Sequence, residues 1–282
     1  MPKSGFHLQC DLEIPWLLYG TAWKEERTEQ LTAQALTTGF VGIDTANQRK
    51  HYFEAGVGAA VKSALSSGTP RAELFLQTKF TFLDGQDKRL PYTKNAPVAT
   101  QVSESMQSSL SHLGTHYVDS YVLHGPSQRS GLGGADWEAW RAMEALQRAG
   151  HTRHLGVSNV SLEQLRALHA GAEIKPRFVQ NRCYAERGWD REVRNFCQKH
   201  GLIYQGFSLL TANRRELAST AVKELATKLG RSVPELIFRF AIQLGMLPLT
   251  GTTSRQHMQL DLGCSSFELS AADVGAIERL SC

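Results

Sequence analysis

Four titratable residues stand out by type and by place. Asp44 sits near the end of the apolar run "VGIDTA" (41–46), Lys79 near the end of "LFLQTKF" (74–80) and His124 near the end of "VDSYVLHG" (118–125). Tyr52 follows Asp44 across the polar stretch "NQRKH". A carboxylate, an ammonium, an imidazole and a phenol are the groups that move protons in acid–base chemistry, and a lysine can also form a Schiff base. Singly, each has an ordinary structural use. A strand-end aspartate often caps the next helix, a lone lysine is a surface cation, a lone histidine is a satisfied core residue, and a tyrosine at a helix start is a packed aromatic. Their recurrence at one place in a repeating unit points to a site instead.

The elements that must position them are short β-rich runs separated by helical patterns. The runs are "WLLYGTA" (16–22), "VGIDTA", "LFLQTKF", "VDSYVLHG", "HLGVSNV" (154–160), "RFVQNRC" (177–183), "LIYQGFSL" (202–209) and "MLPLTG" (246–251). They are continuously apolar rather than alternating, as strands buried on both faces are. Between them, segments such as "ERTEQLTAQALTTG", "APVATQVSESMQSSLSHLG" and "ADWEAWRAMEALQRAG" place apolar residues near i, i+3, i+4 and i+7, and several end on glycine. Pro234 falls in the first turn of "SVPELIFRFAIQLG", where proline is tolerated. Eight such units with no break in composition predict one α/β domain over 1–282, a (β/α)8 TIM barrel, ahead of a doubly wound sheet. The opening "FHLQCDLEI" alternates and predicts a β-hairpin closing the barrel bottom. "SAADVGAIERL" predicts a final helix.

Barrel chemistry sits at the C-terminal ends of the strands. Read in order, those ends are Gly20-Thr21, Asp44-Thr45, Lys79, His124, Ser158-Asn159, Gln180-Asn181, Phe207-Ser208 and Gly251-Thr252.

Composition narrows the classes. With 41% hydrophobic and 21% charged residues the chain can build a sizeable core. The net charge of +4 comes from scattered basic residues, and the longest basic cluster, Arg49-Lys50-His51, is far short of a nucleic-acid stripe. Five widely spaced cysteines without a CxxC give neither a disulfide framework nor a zinc site, so free thiols in a reducing cytoplasm and no metal are expected. No run is long and apolar enough for a membrane span, and no signal segment is seen.

On "GIDTA", "LQTKF", "VLHGP" and "GVSN", and on the helix-turn-helix run "ELATKLGRSVPELIFRFAIQLG", the chain resembles the aldo-keto reductase family over nearly its whole length. The resemblance implies NADPH-dependent reduction of aldehydes or ketones in a barrel without a Rossmann fingerprint. The nearest glycine-rich string, "GVGAAV", lies inside a helical pattern. It also implies a catalytic group of Asp44, Tyr52, Lys79 and His124. Hydride transfer to a carbonyl leaves negative charge on oxygen, which needs a proton donor. A tyrosine near its ordinary pKa of about 10 is a poor acid, and an ammonium beside it favours the phenolate. Lys79 would act so, Asp44 would hold Lys79, and His124 would orient the carbonyl. The family places the tyrosine five residues after the aspartate, where this chain has Arg49; an inserted bulge is expected to bring Tyr52 into that place.

The cofactor residues follow from the same resemblance. Gly20, Thr21 and Asp44 are assigned to the cofactor side, Ser158, Asn159 and Gln180 to the nicotinamide carboxamide, and Phe207 to the nicotinamide ring, where a tyrosine is common. Ser208 and Leu210 would begin the pyrophosphate loop. Arg214 and Arg215 could reach those phosphates or be solvated cations at a helix start. "LTGTTSRQHMQLDL" aligns with the adenosine-phosphate segment, with Gly251 where lysine is typical, His257 where arginine is, and Asp261 where an adenine-contacting asparagine is. Thr252, Thr253, Ser254 and Arg255 remain for a 2′-phosphate, so NADPH is expected with weak discrimination and NADH possible.

Trp23, Tyr52 and His124 would meet a small-molecule carbonyl substrate. Walls are expected from "FTFLDGQDKRLPYTKN" and a mobile, glycine-rich "GPSQRSGLGGADW". The chain stops soon after the last helix, which suggests an open pocket. A cytoplasmic monomer with no nucleic-acid or membrane partner is expected. The alternatives are a nicotinamide-binding regulatory protein with little turnover, favoured by the displaced tyrosine, and a Schiff-base lyase using Lys79, disfavoured by Asp44 beside it.

Overall fold

The computed structural model describes residues 5–6 and 14–280. β1 (Gly5–Phe6) pairs antiparallel with β2 (Ile14–Pro15). The rest of the expected hairpin lies outside the described residues. Eight further strands follow: β3 (Leu18–Gly20), β4 (Gly42–Asp44), β5 (Phe75–Phe80), β6 (Val118–Leu123), β7 (Thr152–Ser158), β8 (Phe178–Arg182), β9 (Ile203–Phe207) and β10 (Leu247–Thr250). They close a barrel in the order β10-β3-β4-β5-β6-β7-β8-β9. Seven of the eight predicted strand runs contain one of these strands, and the run 154–160 overlaps β7, which starts two residues earlier.

The helices are α1 (Thr28–Thr38), α2 (Glu54–Ser66), α3 (Val98–Leu113), α4 (Gly134–Arg148), α5 (Leu162–Gly171), α6 (Arg191–His200), α7 (Arg214–Leu217), α8 (Thr220–Leu229), α9 (Val233–Gln243), α10 (Arg255–Gly263) and α11 (Ala271–Glu278). Their ends follow local chemistry. α1 and α3 stop at Gly39 and Gly114, both left-handed. α5, α9 and α11 start on the capping boxes Ser161/Gln164, Ser232/Glu235 and Ser270/Asp273. α10 has no counterpart in the sequence reading. It buries only Met258 and Asp261, so no apolar stripe marked it.

Contacts group the chain into two compact units. The unit Tyr19–Val179 holds β4 to β7 and α1 to α5. Every position of β5 and β6 is buried, which is why these runs read as continuous rather than alternating. Within them, buried apolar side chains such as Leu76, Phe80, Val122 and Leu123 each contribute about 1.5–3 kcal/mol. α2 approaches α3 closely at Gly58, where a Cβ would stand 1.8 Å from the His112 carbonyl oxygen.

The second unit runs from Gln180 onward and includes the residues up to Leu18. Trp189 is fully buried against Phe240, with ring centroids 5.0 Å apart, and its Nε1 donates to the Ile277 carbonyl at 3.1 Å, docking α11. Ile14 and Pro15 line a cavity of about 620 Å³ with Ile203, Tyr204, Met246 and Leu247, at the N-terminal ends of β9 and β10.

Candidate active site

Parallel register gathers the first catalytic candidates. Gly20 pairs with Asp44, Asp44 with Gln77, Phe80 with Leu123, and Leu123 with Val157. Asp44, Lys79, His124 and Ser158 therefore emerge together at the strand ends of the Tyr19–Val179 unit. Side chains alternate along a strand, so Gln77 and Lys79 share one face of β5 and Thr78 takes the other. Lys79 is fully buried; its Nζ lies 2.7 Å from Asp44 Oδ1 and donates to the Thr45 carbonyl at 2.8 Å. Gln77 Nε2 donates to the same Asp44 oxygen at 2.7 Å. A buried ion pair needs such additional hydrogen bonds to offset its desolvation.

Tyr52 reaches this pair by a turn. Its backbone N–H donates to the Gln48 carbonyl at 3.0 Å, and that of His51 to the same carbonyl at 3.1 Å. The base is tied down by Asn47, whose N–H donates to the Lys79 carbonyl at 3.3 Å and whose side chain donates to the Ser105 carbonyl at 3.0 Å. Arg49, at the family's usual tyrosine position, turns away to an ion pair with Glu26 at 3.2 Å and lies over the Phe53 ring. The insertion is thus a hydrogen-bonded turn. The Tyr52 ring centroid lies 5.2 Å from Lys79 Nζ and 5.9 Å from that of His124, edge to face. The turn brings the Tyr52 ring beside Lys79 despite its displacement along the chain.

The electrostatics differ from expectation at one residue. Burial first, and Asp44 second, push the Tyr52 phenol above its ordinary value, so it keeps its proton in the free site. Burial pushes the Lys79 ammonium down, opposed by its pairing with Asp44. Burial, Lys79 and His51 push His124 down to about 3, so the imidazole is neutral near pH 7. Thr81 Oγ1 stands 2.7 Å from His124 Nδ1. Thr81, Gln77 and the outward-facing Thr78 were not singled out in the sequence. For Gln77 and Thr78 the only signal was polarity inside an otherwise apolar strand run, and Thr81 lies just past its end.

Other predicted positions in this unit fall near the strand ends. Thr21 is buried and its hydroxyl donates to the Asp44 carbonyl at 2.9 Å. Asn159 has a left-handed backbone (φ 53°) and donates to the His124 carbonyl at 2.7 Å and to Ser158 Oγ at 3.1 Å. Trp23 is 70% exposed, its ring 4.0 Å from that of His51. In the glycine-rich loop, Ser127 and Gly133 N–H groups donate to Asp136, and Gln164 donates to the Gln128 and Gly131 carbonyls.

In the second unit, Gln180 is buried and donates to Gln205 Oε1 at 2.9 Å. Phe207 and Leu210 are half-buried, as is Ser208, whose backbone is left-handed (φ 57°). Ser254 caps α10, accepting from the His257 N–H at 3.4 Å. Gly251, Thr253, Arg255 and His257 are exposed and Thr252 is half-buried. Asp261 is buried beneath, accepts from Thr250 Oγ1 at 2.7 Å, and is pushed up to about 6 by burial. Cys183, Cys197 and Cys264 are free, buried thiols; Cys10 and Cys282 lie outside the described residues.

The family model for the aldo/keto reductase family matches residues 15–281. The chain belongs to this family. Among its relatives, the glyoxal reductase of Bacillus subtilis is 29% identical over 99% of this chain and 93% of its own length. The NADPH-dependent alpha-keto amide reductase of Saccharomyces cerevisiae is 28% identical, covering 93% and 84%. The crystal structure of an aldo/keto reductase from Brucella melitensis superimposes with a TM-score of 0.79 at 28% identity, covering 95% of each chain. As a member of the aldo/keto reductase family the protein is an NAD(P)H-dependent oxidoreductase with a (β/α)8 barrel. Among the described residues no helix is long and apolar enough to cross a membrane, and no cluster of His, Cys, Asp and Glu could hold a metal.

Proposed function

We propose that the protein reduces small aldehydes and α-dicarbonyl compounds to alcohols with NADPH, accepting NADH as well, and that Tyr52 donates the proton. The observation that carries this reading is the meeting of the Tyr52 ring, the Lys79–Asp44 pair and a neutral His124 at the strand ends of one unit. Bound NADPH supplies the hydride. The Tyr52 hydroxyl gives its proton to the carbonyl oxygen as negative charge develops there. The Lys79 ammonium stabilises the phenolate left behind, and Asp44, held by Gln77, keeps that ammonium in place. His124 is neutral, and in the tautomer whose Nδ1 accepts from Thr81 its Nε2 carries the proton that orients the carbonyl. Trp23 provides an apolar wall for the substrate.

The residues present fit the cofactor's chemistry. Asn159 spends its N–H groups on His124 and Ser158, leaving its Oδ1 to accept from a carboxamide. Ser158 and Gln180 are the other carboxamide partners, and Phe207 offers a ring face. Ser208 and Leu210 serve the pyrophosphate; Thr252, Thr253, Ser254, Arg255 and His257 serve a 2′-phosphate, with Gly251, Asp261, Gly20 and Thr21 completing the set. Two relatives, one a glyoxal reductase and one an NADPH-dependent alpha-keto amide reductase, support both the substrate class and the cofactor. Purified protein should oxidise NADPH, and NADH more slowly, only when glyoxal or an aromatic aldehyde is added. Oxidation that no carbonyl in such a panel accelerates contradicts the reading.

A further inference from the structure

Glu54 opens α2, two residues after Tyr52, and is 3% exposed. Its carboxylate accepts a hydrogen bond from Thr78 Oγ1 and lies 3.0 Å from His112 Nδ1 on α3. Thr78 precedes Lys79 on β5 and faces the opposite side of the strand. One carboxylate therefore joins the helix that leads on from Tyr52 to the strand residue beside Lys79. The α2–α3 contact beneath it is tight, because a Cβ on Gly58 would collide with the His112 carbonyl. The base of the Tyr52 turn is held at Asn47; Glu54 holds its other end. None of Glu54, Thr78 and His112 takes part in the proton transfer.

We propose that Glu54 is a positioning residue for the reduction, fixing Tyr52 against Lys79 through Thr78, and that half-exposed His112 makes this anchor pH-sensitive from outside the barrel. The inference rests on the reading of Tyr52 as the proton donor. The titratable groups facing Glu54 are His112 from α3, Lys79 from β5 and Tyr121 from β6. The carboxylate raises His112 above its ordinary value, so the ion pair persists through mild acid and dissolves as the imidazole deprotonates. Above that point Glu54 keeps only Thr78 as a firm partner, the anchor loosens, and kcat falls.

The test uses purified full-length protein with NADPH and glyoxal, and the variants Glu54→Gln, Thr78→Val, their double, and His112→Lys. A misplacement near 1 Å can cost about 10²-fold. Glu54→Gln and Thr78→Val should each lower kcat about tenfold or more, with KM and the NADPH dissociation constant changed by less than about twofold. The double variant should be no worse than the poorer single one, because both act on one path. His112→Lys, which keeps the charge, should lose the fall of kcat at rising pH. Unchanged kcat in a folded Glu54→Gln protein, additive losses, or an unaltered pH limb in His112→Lys overturns the inference. If the wild-type protein has no turnover, the functional reading itself fails. The anchor is then judged by the His112 titration in NMR, which Lys79→Met shifts if Glu54 couples the two and leaves unmoved if it does not.

Discussion

At the residue scale, the site depends on how a buried charge is kept. Lys79 has no solvent, and its stability in the fold comes from Asp44, the Thr45 carbonyl and the Gln77 amide that shares its Asp44 oxygen. Breaking a buried pair on one side leaves an uncompensated charge, at a cost of about 3–5 kcal/mol. Lys79→Met should therefore lower the unfolding free energy by about that amount as well as turnover, which urea unfolding measures. His124 carries a pH signature. Its folded value of about 3 lies below the ordinary histidine range, so between those limits the unfolded chain binds the extra proton. Its contribution to stability is full above about pH 6.5 and is lost as the pH falls towards 3. His124→Gln, which cannot titrate, should show a shallower decline of stability over that window.

At the scale of elements, much was legible in the sequence. Buried parallel strands read as apolar runs, and their ends carried Asp44, Lys79, His124, Ser158 and Gln180. What composition could not convey was contact across elements. Thr81 beside His124, Gln77 on Asp44 and Glu54 behind Lys79 are polar residues whose partners lie on other strands or helices. The 47–52 loop was legible only as an insertion, because a turn closed by backbone bonds to the Gln48 carbonyl has no side-chain signature. α10 escaped because its buried face is small and partly polar. The turn yields a prediction of its own. Deleting Arg49, Lys50 and His51 should leave the barrel folded, since loop length costs little stability. The deletion sets the tyrosine five residues after Asp44, the family's usual spacing, so kcat should stay within about tenfold of the wild-type value with NADPH still bound; a loss of about 10²-fold or more would mean that the turn itself is what places Tyr52.

At the scale of the whole molecule, the acid–base groups lie in the Tyr19–Val179 unit, and the segment proposed for the adenosine phosphate lies in the unit that runs from Gln180 onward. The proposed breadth of cofactor use rests on that segment. On the family resemblance, Gly251 and His257 are read at positions where strict NADPH users have fixed cations, and Asp261, pushed up to about 6, lies one turn after His257 on α10. Each charge-assisted hydrogen bond is worth about 1.5–3 kcal/mol. A Gly251→Lys, His257→Arg protein should therefore raise the NADPH-to-NADH ratio of kcat/KM about tenfold or more, read from initial rates with each cofactor. The central claim is nearer the barrel axis. Initial rates of NADPH oxidation with glyoxal, for the wild-type protein and Tyr52→Phe side by side, test it most directly. Loss of about 10²–10⁴-fold in kcat with NADPH binding intact is the predicted result. Equal rates in the two proteins would mean that another group donates the proton.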